Sequence, residues 1–142
     1  MDEERKALYA ELDGLTRRTL WFVEAGRCYC CGVPATDTAH LFSRRILGIR
    51  WETGPWGNVH LLCRECHDLD HKGLLVPSYK EVAEERFKKH DGRAWTMLMY
   101  RYRQNARMVN DDLRAMVKSR TRLLYKARQQ AFRIAGSRSR KA

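Results

Sequence analysis

The chain of 142 residues lacks several common features. It has no apolar run of about 18 residues, so we expect no membrane-spanning helix. Its first residues, MDEERKALYAELDGL, are charged and lack the apolar segment of a secretory signal peptide. We therefore expect a protein of the reducing cytoplasm, where its five cysteines favour metal binding over disulfides.

Acidic residues are scarce in the last third of the chain. Residues 93–142 contain 14 Lys and Arg but only two acids, Asp111 and Asp112, so this segment holds all the excess charge of the +11 chain. A basic segment of this size indicates a polyanion partner, most often nucleic acid. The alternative is a solvated, partly disordered tail, which we expect for residues 136–142 (GSRSRKA).

Proline and glycine are absent from residues 94–135, which predicts one long helix or two. Apolar residues follow one seam of this segment near heptad spacing, interrupted by Arg120. The seam would pack either on the protein's own body or on a second copy, as a homodimer. Its members are Leu113, Val117, Leu124, Ala127, Ala131 and Ile134.

Helices are also predicted on either side of a cysteine-rich middle segment. Residues 2–12 and 15–25 indicate two helices broken at Asp13-Gly14. After Pro77, Ser78 and Glu81 form a capping box for a helix of about ten residues that ends near His90-Asp91-Gly92. The segment between holds all five cysteines and four of the five histidines, and it indicates loops with short strands. We divide the chain into a helical lead (1–26), a metal-stabilised core (27–75), a helical extension for DNA binding or dimerisation (76–135) and a flexible basic tail (136–142).

Four cysteines have the spacing of a structural zinc site. They form two C-x-x-C pairs, and Gly32 after the first pair suits a tight turn. Two such pairs close a four-thiolate site with no open position, which is typical of a structural rather than a catalytic zinc. Cys30 lies outside this spacing and is predicted to be a bystander. The predicted ligands are Cys28, Cys31, Cys63 and Cys66.

Two histidines follow the second cysteine pair. On a helix, His67 and His71 lie four residues apart on one face, where they could share a divalent ion with open positions. Taken alone, the pair could equally be ordinary surface histidines. A two-Cys, two-His finger does not fit, because His67 follows Cys66 directly and leaves no room for the hairpin and helix of such a finger.

The order His40, Asn58, His67, placed between the cysteine pairs, resembles the HNH nucleases, and most closely the phage NinG-like recombination nucleases. The motifs that carry the resemblance are ELDGLTRRTLWFVEAGRCYCCG, AHLFSRR (39–45), RWE (50–52), Asn58 and Cys63. The resemblance implies an α+β fold with a ββα-metal core, flanked here by N-terminal helices and a long basic C-terminal helical region. It also implies hydrolysis of DNA to 5′-phosphate and 3′-hydroxyl ends, with a preference for branched recombination intermediates, in the host cytoplasm if a phage encodes the chain.

The resemblance assigns catalytic roles residue by residue. His40 would be the general base, with Asn58 accepting a hydrogen bond from its other ring nitrogen. His67 and His71 would hold Mg²⁺ or Mn²⁺. Many HNH enzymes have a ligand immediately before the base, where this chain has Ala39. Asp37 lies two residues further back, on the same side of a strand, and could reach the ion instead.

Basic side chains near the predicted cut site and in the C-terminal third are expected to contact DNA phosphates. A chain with the same zinc site but no catalysis, such as a regulator or a packaging accessory that binds DNA, is the alternative function. The predicted contacts are Arg44, Arg45, Arg50, Arg101, Arg103, Arg107, Lys118 and Arg122.

Overall fold

The computed structural model describes residues 1–105 and 107–141, without the side chains of 137–141. The fold is α+β, as predicted, with a two-stranded sheet among helices. Within these residues, no helix combines the length and apolarity needed to cross a membrane. The elements are α1 (Glu3–Val23), β1 (Asp37–His40), α2 (Leu47–Arg50), β2 (Val59–Leu62), α3 (Arg64–His71), α4 (Tyr79–Gln104) and α5 (Asn110–Lys141).

The N-terminal segment is one helix, so the predicted break at Asp13-Gly14 is wrong. Asp2 caps α1 by accepting a hydrogen bond from the Arg5 backbone N–H at 2.7 Å. Glycine inside a helix costs about 1 kcal/mol relative to alanine. Burial of the apolar face of α1 outweighs this cost, because each fully buried leucine contributes about 1.5–3 kcal/mol. The buried leucines are Leu8, Leu12, Leu15 and Leu20.

Ser78 caps α4 as predicted, but the predicted end of this helix is a kink. Ser78 Oγ accepts a hydrogen bond from the Glu81 backbone N–H at 3.1 Å. Asp91 leaves helical geometry, with φ −161° and ψ 81°. Its carboxylate then accepts a hydrogen bond from the Ala94 backbone N–H at 3.1 Å and starts a second helical segment. The stop signal therefore changes the helix direction without ending the helix.

Helix α5 packs on α1 and thereby on the protein's own body. Leu113 is fully buried in a cluster with Leu8, Leu12 and Trp51, and Val117 packs against the same cluster. Further along the predicted seam, Ile134 is 43 % exposed. Of the predicted flexible tail, 136–142, the backbone is helical to Lys141, whereas the side chains of 137–141 and all of residue 142 lie outside the described residues.

The sheet is an antiparallel hairpin that leads directly into α3. Its register pairs Asp37 with Leu62 and His40 with Val59. All four residues of β2 are buried, in contact with a core that includes Leu20 of α1 and Tyr79 of α4. Because α3 begins two residues after β2, the chain order is strand, strand, helix.

Candidate active site and metal centre

The four predicted cysteines come together as one cluster. The Sγ atoms of Cys28, Cys31, Cys63 and Cys66 all lie within 4.8 Å of one another. Cys31 Sγ and Cys63 Sγ are 3.7 Å apart. A tetrahedral zinc site with Zn–S bonds of about 2.3 Å has edges of about 3.8 Å, so this cluster fits zinc. Cys30 lies outside the cluster and is half-buried.

The cysteine cluster also determines where α3 begins. Cys63 is the N-cap of this helix, and its Sγ accepts a hydrogen bond from the Cys66 backbone N–H at 3.4 Å. Gly32 closes the other pair with φ +81°, a conformation that favours glycine. The Cys63 sulfur thus holds the first turn of α3, and His67 directly follows Cys66.

His67 and His71 converge at the surface of α3. Their Nε2 atoms are 3.1 Å apart, which allows both nitrogens to bind one ion at the usual metal–nitrogen distance of about 2.0–2.1 Å. Within the described residues, no third His, Cys, Asp or Glu lies close enough to make this pair a three-residue cluster. The pair was predicted, and so was the lack of a ligand at Ala39.

Asp37, the predicted third ligand, instead lies behind His67. Its Oδ2 accepts a hydrogen bond from His67 Nδ1 at 2.8 Å and pairs with Arg64 at 3.1 Å. The hydrogen bond from His67 holds the pKa of the Asp37 carboxyl below its ordinary value. Nδ1–H of His67 is thereby directed at Asp37, and Nε2 presents its lone pair outward. Asp37 is a positioning residue for His67 in this geometry.

His40 is half-buried at the end of β1. Its Nε2 lies 3.0 Å from the Arg50 carbonyl oxygen, which accepts a hydrogen bond from Nε2–H. Burial, reinforced by the positive charge of Arg44, lowers the pKa of His40 to about 4. The imidazole is therefore neutral at pH 7, with an unprotonated Nδ1 that can take a proton.

Asn58 makes no hydrogen bond with the ring of His40, which corrects the predicted bond between them. Its fully buried amide accepts from the Phe42 backbone N–H at 2.8 Å and donates to the Phe42 carbonyl at 3.3 Å. The backbone carbonyl of Asn58 also accepts a hydrogen bond from the Leu41 backbone N–H at 2.7 Å. Asn58 thus holds the backbone that follows His40, while the Arg50 carbonyl orients the ring.

One cavity of about 420 Å³ brings the three histidines together, whereas Asn58 does not reach it. Helix α1 also contributes residues to this cavity, although the sequence predicted that the whole site lies in residues 27–75. The predicted break at Asp13-Gly14 hid this, because Asp13 and Arg17 share a face only when α1 is one continuous helix. The lining residues are Asp13, Thr16, Arg17, Thr38, Ala39, His40, Arg44, Val59, His67, Asp70, His71 and Tyr79.

Arg50, a predicted DNA contact, is instead buried in the protein. It pairs with Asp13 at 3.0 Å, and its guanidinium lies 4.9 Å and 5.0 Å from the ring centroids of Tyr9 and Trp51. Trp51 Nε1–H also donates to Asp13 at 2.7 Å. Arg50 is 8 % exposed and therefore serves the joint between α1 and the core.

The remaining predicted DNA contacts divide into two groups. Arg101 pairs with Glu52 and donates to the Gly48 carbonyl at 2.8 Å, so part of its hydrogen-bonding capacity is used inside the protein. The others are exposed, and Arg44 in addition lines the cavity. The exposed group is Arg44, Arg45, Arg103, Arg107, Lys118 and Arg122.

No family model, curated protein or solved structure matches this chain. Its chemistry is therefore inferred from the geometry of the cavity and the cysteine cluster.

Proposed function

We propose that the protein is a metal-dependent endonuclease of the HNH type that hydrolyses phosphodiester bonds in DNA. The observation that carries this proposal is the meeting of His40, His67 and His71 in one cavity, beside a cysteine cluster that fits a structural zinc. The order strand, strand, helix across β1, β2 and α3 agrees with the core that the HNH resemblance implies.

In this proposal His40 is the general base. Its Nε2–H is engaged by the Arg50 carbonyl, which leaves Nδ1 as the proton acceptor. Water would attack the phosphorus and give its proton to Nδ1. The bond from phosphorus to the 3′ oxygen would break, and that oxygen would leave with the electron pair and take a proton from solvent. The products are a 5′-phosphate and a 3′-hydroxyl.

His67 and His71 are the residues that would hold the catalytic ion, and their Nε2 spacing of 3.1 Å fits one divalent cation. When bound, Mg²⁺ or Mn²⁺ would supply positive charge that neutralises the leaving oxygen. Asp37 orients His67 for this role and strengthens the ring as a donor.

DNA is the substrate that the charge distribution favours. The excess of basic residues lies in the last third of the chain, and Arg103, Arg107, Lys118 and Arg122 are exposed there. Such residues bind phosphates without selecting a sequence, and binding should weaken steeply as salt rises. A preference for branched DNA follows from the NinG-like resemblance alone, so the test below includes a four-way junction.

The test is cleavage by zinc-loaded protein of supercoiled plasmid and of a four-way junction, with Mg²⁺, with Mn²⁺ or with neither. We expect cleavage that requires the added ion and falls by at least about 100-fold in His40→Ala, since general-base catalysis contributes about 10²–10⁴-fold. His90→Ala is the matched control, because His90 is exposed and lies outside the cavity. Full cleavage by His40→Ala would refute the assigned base.

The absence of a third ligand at Ala39 supports the alternative, a zinc-stabilised DNA-binding protein without catalysis. That protein would bind DNA in the same salt-dependent way but cleave neither substrate with either ion. Calorimetry with Mn²⁺ separates the two functions further. The endonuclease should bind Mn²⁺ and lose this binding in His67→Ala, whereas the alternative predicts no Mn²⁺ binding that depends on His67.

A further inference from the structure

Helix α1 forms one wall of the cavity that contains the three histidines. Asp13, Thr16 and Arg17 line the cavity from this side, with Arg44 from the loop after β1. Asp13 and Arg17 are one helical turn apart and therefore lie on the same face of α1. The hydrogen bonds from Arg50 and Trp51 to Asp13 hold that face against the core.

The acids of this cavity are already engaged, whereas its arginines are free. Asp13 is paired with Arg50, and Asp70 accepts a hydrogen bond from the Tyr79 backbone N–H at 3.0 Å. Within residues 1–105 and 107–136, neither the Arg17 nor the Arg44 side chain makes a hydrogen bond or an ion pair. The lining thus holds two arginines and two aspartates, and of these four side chains only the arginines make no hydrogen bond or ion pair within those residues.

Two free guanidinium groups that line one recess are suited to bind a phosphate group. A guanidinium donates paired hydrogen bonds that fit phosphate oxygens, and it keeps its charge at every pH in which the protein is folded. Arg44 is close enough to His40 for its charge to affect the ring, so an anion at the arginines would lie beside the general base. Arg17 would bind the same anion from α1.

We propose that Arg17, with Arg44, forms an anion-binding site in this cavity that holds the phosphodiester group of the substrate strand against His40. The proposal rests on the proposed function for the identity of the anion as a DNA phosphodiester. It makes α1 part of the active site and Arg17 a residue that touches substrate, although the sequence placed this helix outside the nuclease core.

The experiment compares Arg17→Ala with Arg18→Ala. Arg18 is the adjacent exposed arginine on α1, lies outside the cavity and bonds only to the Gly14 carbonyl at 3.2 Å. Neither substitution removes a buried contact, so both proteins should fold. Two measurements are made on zinc-loaded protein: kcat/KM for plasmid cleavage, and calorimetric affinity for thymidine 3′,5′-bisphosphate without Mg²⁺ or Mn²⁺.

We expect Arg17→Ala to lose about 10- to 100-fold in kcat/KM and in bisphosphate affinity, the range for a lost hydrogen bond between charged groups. Arg17→Lys should recover part of both, because lysine keeps the charge but not the paired geometry. Arg18→Ala should match the unaltered protein. Equal values for Arg17→Ala and Arg18→Ala in both measurements would overturn the proposal.

The binding measurement decides the matter even if the protein cleaves no DNA. In that event, selective loss of bisphosphate affinity in Arg17→Ala supports the anion site while the proposed endonuclease function fails. If the unaltered protein binds no bisphosphate at millimolar concentration, the anion site itself is refuted, whatever the outcome of the cleavage assay.

Discussion

Acidification should destabilise the protein through His40. The ordinary pKa of histidine is 6.5, and burial with the nearby charge of Arg44 lowers the pKa of His40 to about 4 in the folded protein. Between pH 6.5 and about pH 4, His40 is protonated in the unfolded chain but stays neutral in the folded protein. The unfolded state thus binds more protons, so the free energy of unfolding falls as the pH falls from about 6.5 toward 4.

The size of this effect follows from the two pKa values. A group that titrates at about 4 when folded and 6.5 when unfolded removes about 2 kcal/mol of stability between pH 7.5 and pH 5. The ring of His40 is half-buried and keeps some contact with solvent, which reduces the figure. We expect about 1–2 kcal/mol.

The assay is urea unfolding of zinc-loaded protein at several pH values between 5 and 7.5, for the unaltered chain and for His40→Gln. Glutamine can donate to the Arg50 carbonyl but does not titrate, so the difference between the two curves isolates the ring. Other groups that titrate in this range change the free energy of unfolding equally in both proteins, so their effects cancel in the difference. The matched control is His90→Gln, a substitution at an exposed histidine outside the cavity. Parallel curves for the unaltered chain and His40→Gln would show that His40 is not held neutral by burial.

Three other substitutions test single side chains. Asn58→Leu should lower the free energy of unfolding by about 2–4 kcal/mol in urea, because the buried N–H and C=O of Phe42 lose their partner; a change below about 0.5 kcal/mol would contradict this role. Asp37→Asn should weaken Mn²⁺ binding in calorimetry by about 10–100-fold, and unchanged affinity would show that the hydrogen bond to His67 does not tune the site. Elemental analysis should find about one zinc per chain in Cys30→Ser but a loss of zinc in Cys31→Ser; zinc loss in both would mean that Cys30 is a ligand.

Several local signals in the sequence predicted local structure, although the break at Asp13-Gly14 and the helix end near Asp91 were not among them. The C-x-x-C spacing is decided by the geometry of one turn, and the cysteines meet as predicted. The Ser78 cap depends on an N–H only three residues away, and it is present. The convergence of His67 and His71 follows from helical periodicity over four residues. Each of these predictions needed only the chain within a few residues, apart from the joining of the two cysteine pairs.

Partners distant in the sequence were predicted poorly. Arg50 was expected to face DNA, but an aspartate 37 residues away on α1 holds it in the interior. Asn58 was expected to bond to His40 and instead bonds to the backbone of Phe42. In both cases the residue type was informative, since a buried arginine needs a carboxylate and a buried amide needs backbone partners. Only the fold determines which of several candidates meets that need.

Asp37 bears on how the proposed site could work with few protein ligands. Its carboxylate is committed to His67 and Arg64, so it is not available to bind an ion directly. A carboxylate behind an imidazole makes the ring a stronger donor and restricts its rotation. If His67 and His71 hold an ion as proposed, the negative charge of Asp37 would act on it through His67. Substrate phosphate, held by Arg17 and Arg44 in our proposal, would bring the remaining negative charge into the cavity only when DNA is bound.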